Sequence, residues 1–324
     1  MSENTSQPIL NPNVYLNYLQ PTDASEYEIA RDIFLVTFGA LLWDILTSLP
    51  DDLTIIRSTT PSPVLLAYFS SRTCALAVVF MSALAKTGPV PKCGVLELIL
   101  FIFWVVASAS SSYLFLKRVH AVFPQERHVR HAFTVLWIVG VGASVVVVLP
   151  GPLHIYYEIA NTKHCMNAQV KSYVSAAFIG PVLFDSLVYF AISFKILKFH
   201  QTTKPTGWKV FCRAKQSLPH LSRAVLRGGQ QYYSITNSFN ITALVWASSR
   251  SVSPVLQSLP FVPAVALTSA MACRVFRNLK LEALQKTEIA NLTAIRFVDR
   301  ERVNDHLPKN TGASTPTDID SEQC

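Results

Sequence analysis

Charged residues are scarce in this sequence: Asp, Glu, Lys and Arg together make up 15% of its 324 residues, whereas half of the residues are hydrophobic. Several uncharged runs are long enough to cross a bilayer, which is typical of a bundle of membrane helices rather than of a soluble domain. The net charge of +8 does not indicate a nucleic-acid-binding protein, because the basic residues lie between and after the apolar runs rather than on one soluble module.

Catalytic and metal-binding motifs are also missing. The sequence has no CxxC pair, no Cys/His metal spacing, and no GxSxG, HExxH, Walker A or protein-kinase motif. We therefore expect no enzyme activity, no cofactor and no metal site. The first 28 residues lack the basic and apolar regions of a cleavable signal peptide, so the first span should serve as its own insertion signal.

The longest apolar run is residues 94–116, which read GVLELILFIFWVVASASSSYLFL and contain one charged residue, Glu97. As a helix, these residues would extend about 34 Å, enough to cross a hydrocarbon core of roughly 30 Å. Lys117 and Arg118 follow at once and mark this end as cytoplasmic.

Six further runs make a bundle of seven transmembrane helices, an all-α fold. The seven predicted spans are residues 33–49, 64–85, 94–116, 132–153, 173–194, 228–249 and 255–273. With seven spans, the alternate loops and the tail on one side carry 21 Lys and Arg residues, and the loops on the other side carry five. Because basic loops stay in the cytoplasm, this asymmetry places the N-terminus outside and the C-terminus in the cytosol.

The chain divides into four predicted regions on this topology. Residues 1–28 form an extracellular tail, and residues 29–276 form the seven-helix domain. Residues 277–297 space apolar residues among Lys and Glu at near-helical intervals, which predicts an amphipathic helix on the inner membrane surface. Residues 298–324 are polar and end acidic, so we expect a disordered cytosolic tail.

Two cysteines fall on the predicted outer face. Cys93 starts the third span and Cys165 lies in the next outer loop. Since disulfides persist outside the cell, we predict a Cys93–Cys165 bridge that holds this loop across the mouth of the bundle. The alternative is two unrelated thiols.

Two charged residues inside the first two spans form a predicted ion pair. Asp44 and Arg72 differ in depth by about 7 Å by helical rise, which an arginine side chain can bridge. A charge in a span is costly unless it is paired or hydrated. The alternative is that each side chain reaches the membrane surface separately.

Five polar residues are candidates for a ligand site. Glu97 lies one turn into the third span and faces either a vestibule or the headgroups. Asp185 follows Pro181 by four residues, beside an expected bend, and suits a ligand counter-ion, a protonation site or a structural acid. Tyr233, Asn237 and Asn240 share one face of the sixth span, where they either hold helices together or line a cavity.

Outside the spans, Asn4 begins an Asn-Thr-Ser sequon on the predicted outer tail. Its position on the outside makes it a candidate for N-glycosylation.

Five stretches carry a resemblance to a known family. They are WDILTSLPDDL (43–53), SSYLFLKRVHAVF (111–123), FDSLVYFAISFKIL (184–197), GGQQYYSITNSFNIT (228–242) and ACRVFRNLKLEAL (272–284). Through them the chain resembles an uncharacterised family of multi-span membrane proteins from basidiomycete fungi. The resemblance implies a seven-helix, receptor-like protein of unknown function.

The arrangement of Cys93 and Cys165 also looks like that of G-protein-coupled receptors. However, the third span ends Leu116-Lys117-Arg118-Val119 instead of in an Asp/Glu-Arg-Tyr triad, and the seventh lacks Asn-Pro-x-x-Tyr. No ligand is carried over from either resemblance.

These patterns favour a plasma-membrane receptor or sensor for a small extracellular ligand. Its partners would be the lipid bilayer and an acidic cytosolic protein on the basic inner loops. A small-solute transporter or channel is the alternative, although the sequence has no internal repeat of the kind that transporters carry.

Overall fold

The computed structural model describes residues 15–148, 156–159, 163–167, 172–202, 220–249 and 252–305, and its fold is all-α apart from one short hairpin. A 3₁₀ turn, Tyr15–Tyr18, precedes nine α-helices in the described residues. They are α1 Pro21–Thr47, α2 Leu49–Ser58, α3 Pro63–Thr87, α4 Cys93–Val122, α5 Arg127–Val148, α6 Ser172–Thr202, α7 His220–Ser248, α8 Pro254–Gln257 and α9 Phe261–Asp305. Two strands, β1 Tyr156–Glu158 and β2 Cys165–Asn167, pair antiparallel between α5 and α6.

The helices begin where their sequences favour a start. α3 begins at Pro63, and the absence of a proline N–H costs nothing there because an N–H at the first helical position has no partner within the helix. Ser62 Oγ accepts a hydrogen bond of 3.3 Å from Leu65 N and so caps the helix. Ser253 caps the short helix α8 in the same way, ahead of Pro254. A proline thus stands at the first helical position of both α3 and α8.

The all-α prediction is confirmed, and each of the seven predicted spans overlaps a long helix. Within the described residues, five helices are long and apolar enough to cross a membrane: α3, α4, α5, α6 and the segment Val255–Thr287. α1 and α2 make a sixth if the pair, bent by 48°, is one span. The polar helix α7 is not among them, so the seventh crossing stays a prediction.

Several predicted boundaries differ from the structure. α1 begins within residues 1–28, and α6 and α7 extend into the predicted third inner loop. α9 continues from Phe261 to Asp305 as one helix, where the sequence predicted a span, a separate amphipathic helix and a tail from residue 298. The described residues up to Leu279 form one compact unit, and those from Lys280 onward form another.

The distribution of polar and apolar side chains suits lipid as the solvent. Large apolar side chains are exposed on the outer surface, including Val36, Leu66 and Phe194, each about 70% exposed. Arg72, Glu97 and Asp185 are buried instead. Water would penalise so much exposed apolar surface, whereas lipid does not.

The main core lies between α3, α4, α6, α7 and α9. It contains aromatic and aliphatic side chains, with Tyr68, Leu114, Phe184, Val188 and Tyr233 at its centre. α4 packs against α3, α5 and α6, so it is the central helix of the bundle.

Candidate functional site

A cavity of about 60 Å³ lies between α4, α6, α7 and α9. Its walls on α4 are formed largely by small residues, Ala107, Ser108, Ser111 and Ser112, which leave space between the helices. A cavity of this size has room for a few water molecules or a small ligand. A smaller cavity of about 20 Å³ lies beside it and shares Ser108, Ser112 and Pro181 with it.

Asp185 is the acidic residue of the cavity wall. Its side chain points from α6, four residues after Pro181, and the residue is only 6% exposed. Its Oδ1 atom is buried and has no hydrogen-bond partner in the described part of the chain. An ionised carboxylate in this place therefore lacks the compensation that buried charges require.

The wall opposite the acid carries amide and hydroxyl groups. Asn240 on α7 and Thr268 on α9 both line the cavity, and Asn240 Nδ2 donates to Thr268 Oγ1 over 3.1 Å. This bond ties α7 to α9 at the cavity and gives the wall polar atoms of both hydrogen-bonding kinds.

Three aromatic rings form another part of the wall. The ring centroids of Trp104 and Phe178 are 4.5 Å apart, and those of Phe178 and Phe261 are 4.0 Å apart in a stacked arrangement. All three residues line the cavity. They come from α4, α6 and α9, so the cavity has one aromatic region and one polar region.

The structure brings two of the five predicted ligand residues, Asp185 and Asn240, into the cavity. Asn237 lies one turn away and accepts a 2.8 Å hydrogen bond from Ser186 Oγ, which joins α7 to α6. Tyr233 packs in the main core, 4.6 Å from Phe115 between ring centroids.

Glu97 is buried, at 3% exposure, and does not line this cavity. It lies in the first turns of α4, close in sequence to Cys93, so its place is near the disulfide end of the bundle.

A chain of serine hydroxyls leads from the cavity to a buried ion network. Ser111, in the cavity wall, has its Oγ 2.8 Å from Ser71 Oγ, which lies 2.8 Å from Ser269 Oγ. Ser71 precedes Arg72 in α3. The hydrogen bonds from the cavity therefore reach Ser71, and the backbone of α3 joins Ser71 to the ion network.

Arg72 is the centre of this network, and it contacts more than its predicted partner. Asp44 Oδ2 lies 3.6 Å from its Nη2, as the sequence predicted, but Asp52 and Ser48 are in closer contact. Tyr68 Oη accepts from Arg72 Nη1 over 2.9 Å and donates to Asp52 Oδ1 over 2.5 Å. The arginine is thus compensated by one buried carboxylate and one partly exposed carboxylate.

Asp52 is the member of this network that the sequence did not predict, because it lies between the predicted spans 33–49 and 64–85. A signal was present: Leu49-Pro50-Asp51-Asp52 has proline at the first turn followed by two acids, which favours a helix start. α2 also carries Asp51, whose Oδ2 lies 3.4 Å from Arg277 Nε on α9. α2 therefore connects the Arg72 network to α9.

The predicted disulfide between Cys93 and Cys165 is confirmed. It joins the start of α4 to strand β2, which belongs to a hairpin that the sequence did not predict. Tyr27 Oη on α1 lies 3.5 Å from the carbonyl oxygen of Cys165, and Lys86 Nζ lies 4.4 Å from the centre of the Tyr27 ring. α1, α3, α4 and the hairpin therefore meet at this end of the bundle.

His164, next to the bridge, lies outside the membrane-spanning helices, and burial lowers the pKa of its imidazole. Asn4, the predicted glycosylation site, lies outside the described residues.

Comparison with known proteins adds no family to this picture: no family model matches the chain, and no curated protein matches it either.

Proposed function

We propose that this integral membrane protein is a receptor or sensor that binds a small molecule in the Asp185 cavity and signals to a cytosolic protein. The observation that carries the proposal is the buried carboxylate of Asp185, which lines a cavity and has no hydrogen-bond partner for Oδ1 in the described residues. An intramembrane acid of this kind is a candidate functional residue because its burial is costly without a ligand or counter-ion.

The hydrogen-bonded route from the cavity supports a signalling role over a purely structural one. Ser111 contacts both the cavity and Ser71, and the next residue, Arg72, holds α2 through Asp52. A ligand that moves α4 by a fraction of an ångström would change the packing of these hydroxyls. Coupling between sites needs a contiguous network with two arrangements, and this route is the one we propose.

The proposed cytosolic surface consists of the basic inner loops and of the basic stretch of α9 that begins at Arg274. The topology is that predicted from the 21-to-5 distribution of Lys and Arg, with the N-terminus outside. An acidic partner fits this surface by charge. The resemblance to the fungal receptor-like family, and location in the plasma membrane, belong to the same proposal.

The test starts with a thermal-shift screen of the purified chain against small fungal and plant metabolites. For a compound that stabilises the protein, proximity labelling in intact cells from an enzyme fused after Cys324 should change when the compound is added. The serine pair 70 and 71 offers a matched control. Ser71→Ala should reduce the labelling response without loss of binding, whereas Ser70→Ala, whose partner Ser110 is off the route, should not.

A small-solute transporter or channel is the second candidate function. Pro181 in the cavity wall favours it to the extent that proline-broken helices often line transport sites. Uptake of the radiolabelled compound into proteoliposomes, with no change in cytosolic labelling, would replace the receptor proposal by this one.

A further inference from the structure

The geometry of the cavity points to the class of ligand: we infer that it binds a small organic amine in its ammonium form, with a short apolar body. This inference rests on the proposed function, because it names the ligand of the same cavity. It begins from the charge of Asp185 and the question of which group compensates it.

The protein supplies no cation to this acid in the part of the chain that the structure describes. The ion pairs of the described residues involve other acids, among them Asp44, Asp51 and Asp52. Arg118, the basic residue near the core, donates to the carbonyl oxygen of Ala272 over 3.3 Å and lies over the Tyr233 ring, 5.1 Å from its centroid. A cation for Asp185 would therefore come with the ligand.

The rest of the wall distinguishes an organic ammonium from a bare metal ion. Phe178 is seven residues before Asp185, so the two lie on one face of α6, about 10 Å apart by helical rise. The rings of Trp104, Phe178 and Phe261 are thus placed to contact an apolar group while the nitrogen reaches the carboxylate. Metal ions are held by oxygen, nitrogen and sulfur ligands and have no apolar part to bury, whereas an amine with an apolar body uses both ends of the cavity.

The polar wall completes the set of acceptors. An ammonium group carries up to three N–H donors, and one carboxylate does not satisfy all of them at once. Ser108, Ser112 and Asn240, whose side chains carry acceptor oxygens, line the same cavity as Asp185. The cavity of about 60 Å³ has less than half the volume of the roughly 150 Å³ cavity that holds one benzene ring, so it limits the ligand to a short alkyl chain.

The experiment compares propylamine with its uncharged isostere 1-propanol, by titration calorimetry on the full chain in lipid nanodiscs. Propylamine should bind saturably and at least tenfold more tightly than 1-propanol. Asp185→Asn should weaken propylamine at least tenfold and leave 1-propanol unchanged. Glu126→Gln, which removes an exposed acid paired with Lys195, is the matched control and should bind as the wild type does.

A second variant keeps the inference testable if Asp185→Asn does not fold. Phe178→Leu should weaken propylamine severalfold while the preference for the amine over the alcohol remains. Equal binding of amine and alcohol, full propylamine binding by a folded Asp185→Asn variant, or competition by sodium chloride but not by choline chloride would each overturn the inference.

Failure of this inference is separable from failure of the proposed function. If propylamine does not bind but an uncharged compound does so at this cavity and changes cytosolic labelling, the amine class is refuted and the receptor remains. If propylamine binds through Asp185 and neither it nor any other cavity ligand changes labelling, the amine site remains and the receptor is refuted.

Discussion

Neutralising Asp52 should destabilise the protein more than neutralising Asp44, although the sequence pointed to Asp44 as the partner of Arg72. The side chains of Arg72 and Asp52 are 6% and 7% exposed, whereas that of Asp44 is 27% exposed. Leaving a buried charge without its partner typically costs about 3–5 kcal/mol. Because Asp44 still lies 3.6 Å from the guanidinium, we expect Asp52→Asn to cost about 3 kcal/mol, at the lower end of that range.

Asp44→Asn should cost about 1 kcal/mol, since its carboxylate is partly solvated and more distant. Asp51→Asn is the matched control one residue away, because its side chain is 49% exposed and pairs with Arg277 over 3.4 Å. It should also cost about 1 kcal/mol or less.

The assay is heat-induced unfolding in detergent, followed with a dye that fluoresces when it reacts with thiols. Cys273 is a free, fully buried cysteine, so its reaction reports loss of the helix packing. The expected order of unfolding temperatures is wild type, then the Asp44 and Asp51 variants, then Asp52→Asn.

A double replacement tests whether the cost comes from the uncompensated charge. Arg72→Leu together with Asp52→Leu removes both buried charges, and replacing a whole buried pair by apolar residues is often neutral. The double variant should unfold at a higher temperature than Asp52→Asn. An Asp44 variant as unstable as Asp52→Asn, or a double variant less stable than both single ones, would refute the assignment of Asp52 as the main partner.

Three further predictions concern the outer end and the topology. Cys93→Ser should lower the free energy of unfolding by about 4 kcal/mol, because it opens a loop between residues 72 positions apart. Cys74→Ser, at a free cysteine, should have little effect, and unfolding temperatures with and without reductant check both expectations. The pKa of His164 is lowered in the folded protein, so near the ordinary histidine pKa of about 6.5 the unfolded chain binds more protons than the folded one. Stability should therefore fall as the pH drops below that value, and His164→Gln should remove part of this pH dependence between pH 7.5 and 5.5. Tags at the two termini should differ in protease accessibility on intact cells, and equal accessibility would contradict an odd number of crossings.

The existence of the helices was predictable from the sequence because apolar runs of this length have few other structures in lipid. The disulfide was predictable for a related reason: once the spans are assigned, only two cysteines fall on the outer face. Asp185 and Asn240 were predicted at the cavity because polar groups in a membrane must point inward.

It was harder to predict which side of each helix faces the interior of the bundle. In α4 and α6 the lipid-facing and core-facing sides are both apolar, so no stripe marks the inner side. The sequence therefore predicted the polar face that carries Tyr233 but not the contact between Tyr233 and Phe115. For the same reason it did not predict the aromatic wall of the cavity.

The structure of the segments between the spans was harder still to predict. Asp52 lies on α2, a helix of ten residues that follows α1 at a 48° bend, and only tertiary contacts with Arg72 and Tyr68 give it a role. The hairpin of three-residue strands next to Cys165 is too short to leave a pattern in the sequence.

The bridge between Cys93 and Cys165 also bears on how the chain is assembled. On the proposed topology, the two cysteines lie before and after the pair α4 and α5, so they reach the same oxidising compartment only if both helices cross the membrane. On that topology, a nascent chain in which α5 failed to insert would retain Cys165 on the reducing side, with its thiol unpaired. The oxidation state of Cys165 would then report whether α4 and α5 were inserted correctly during biosynthesis.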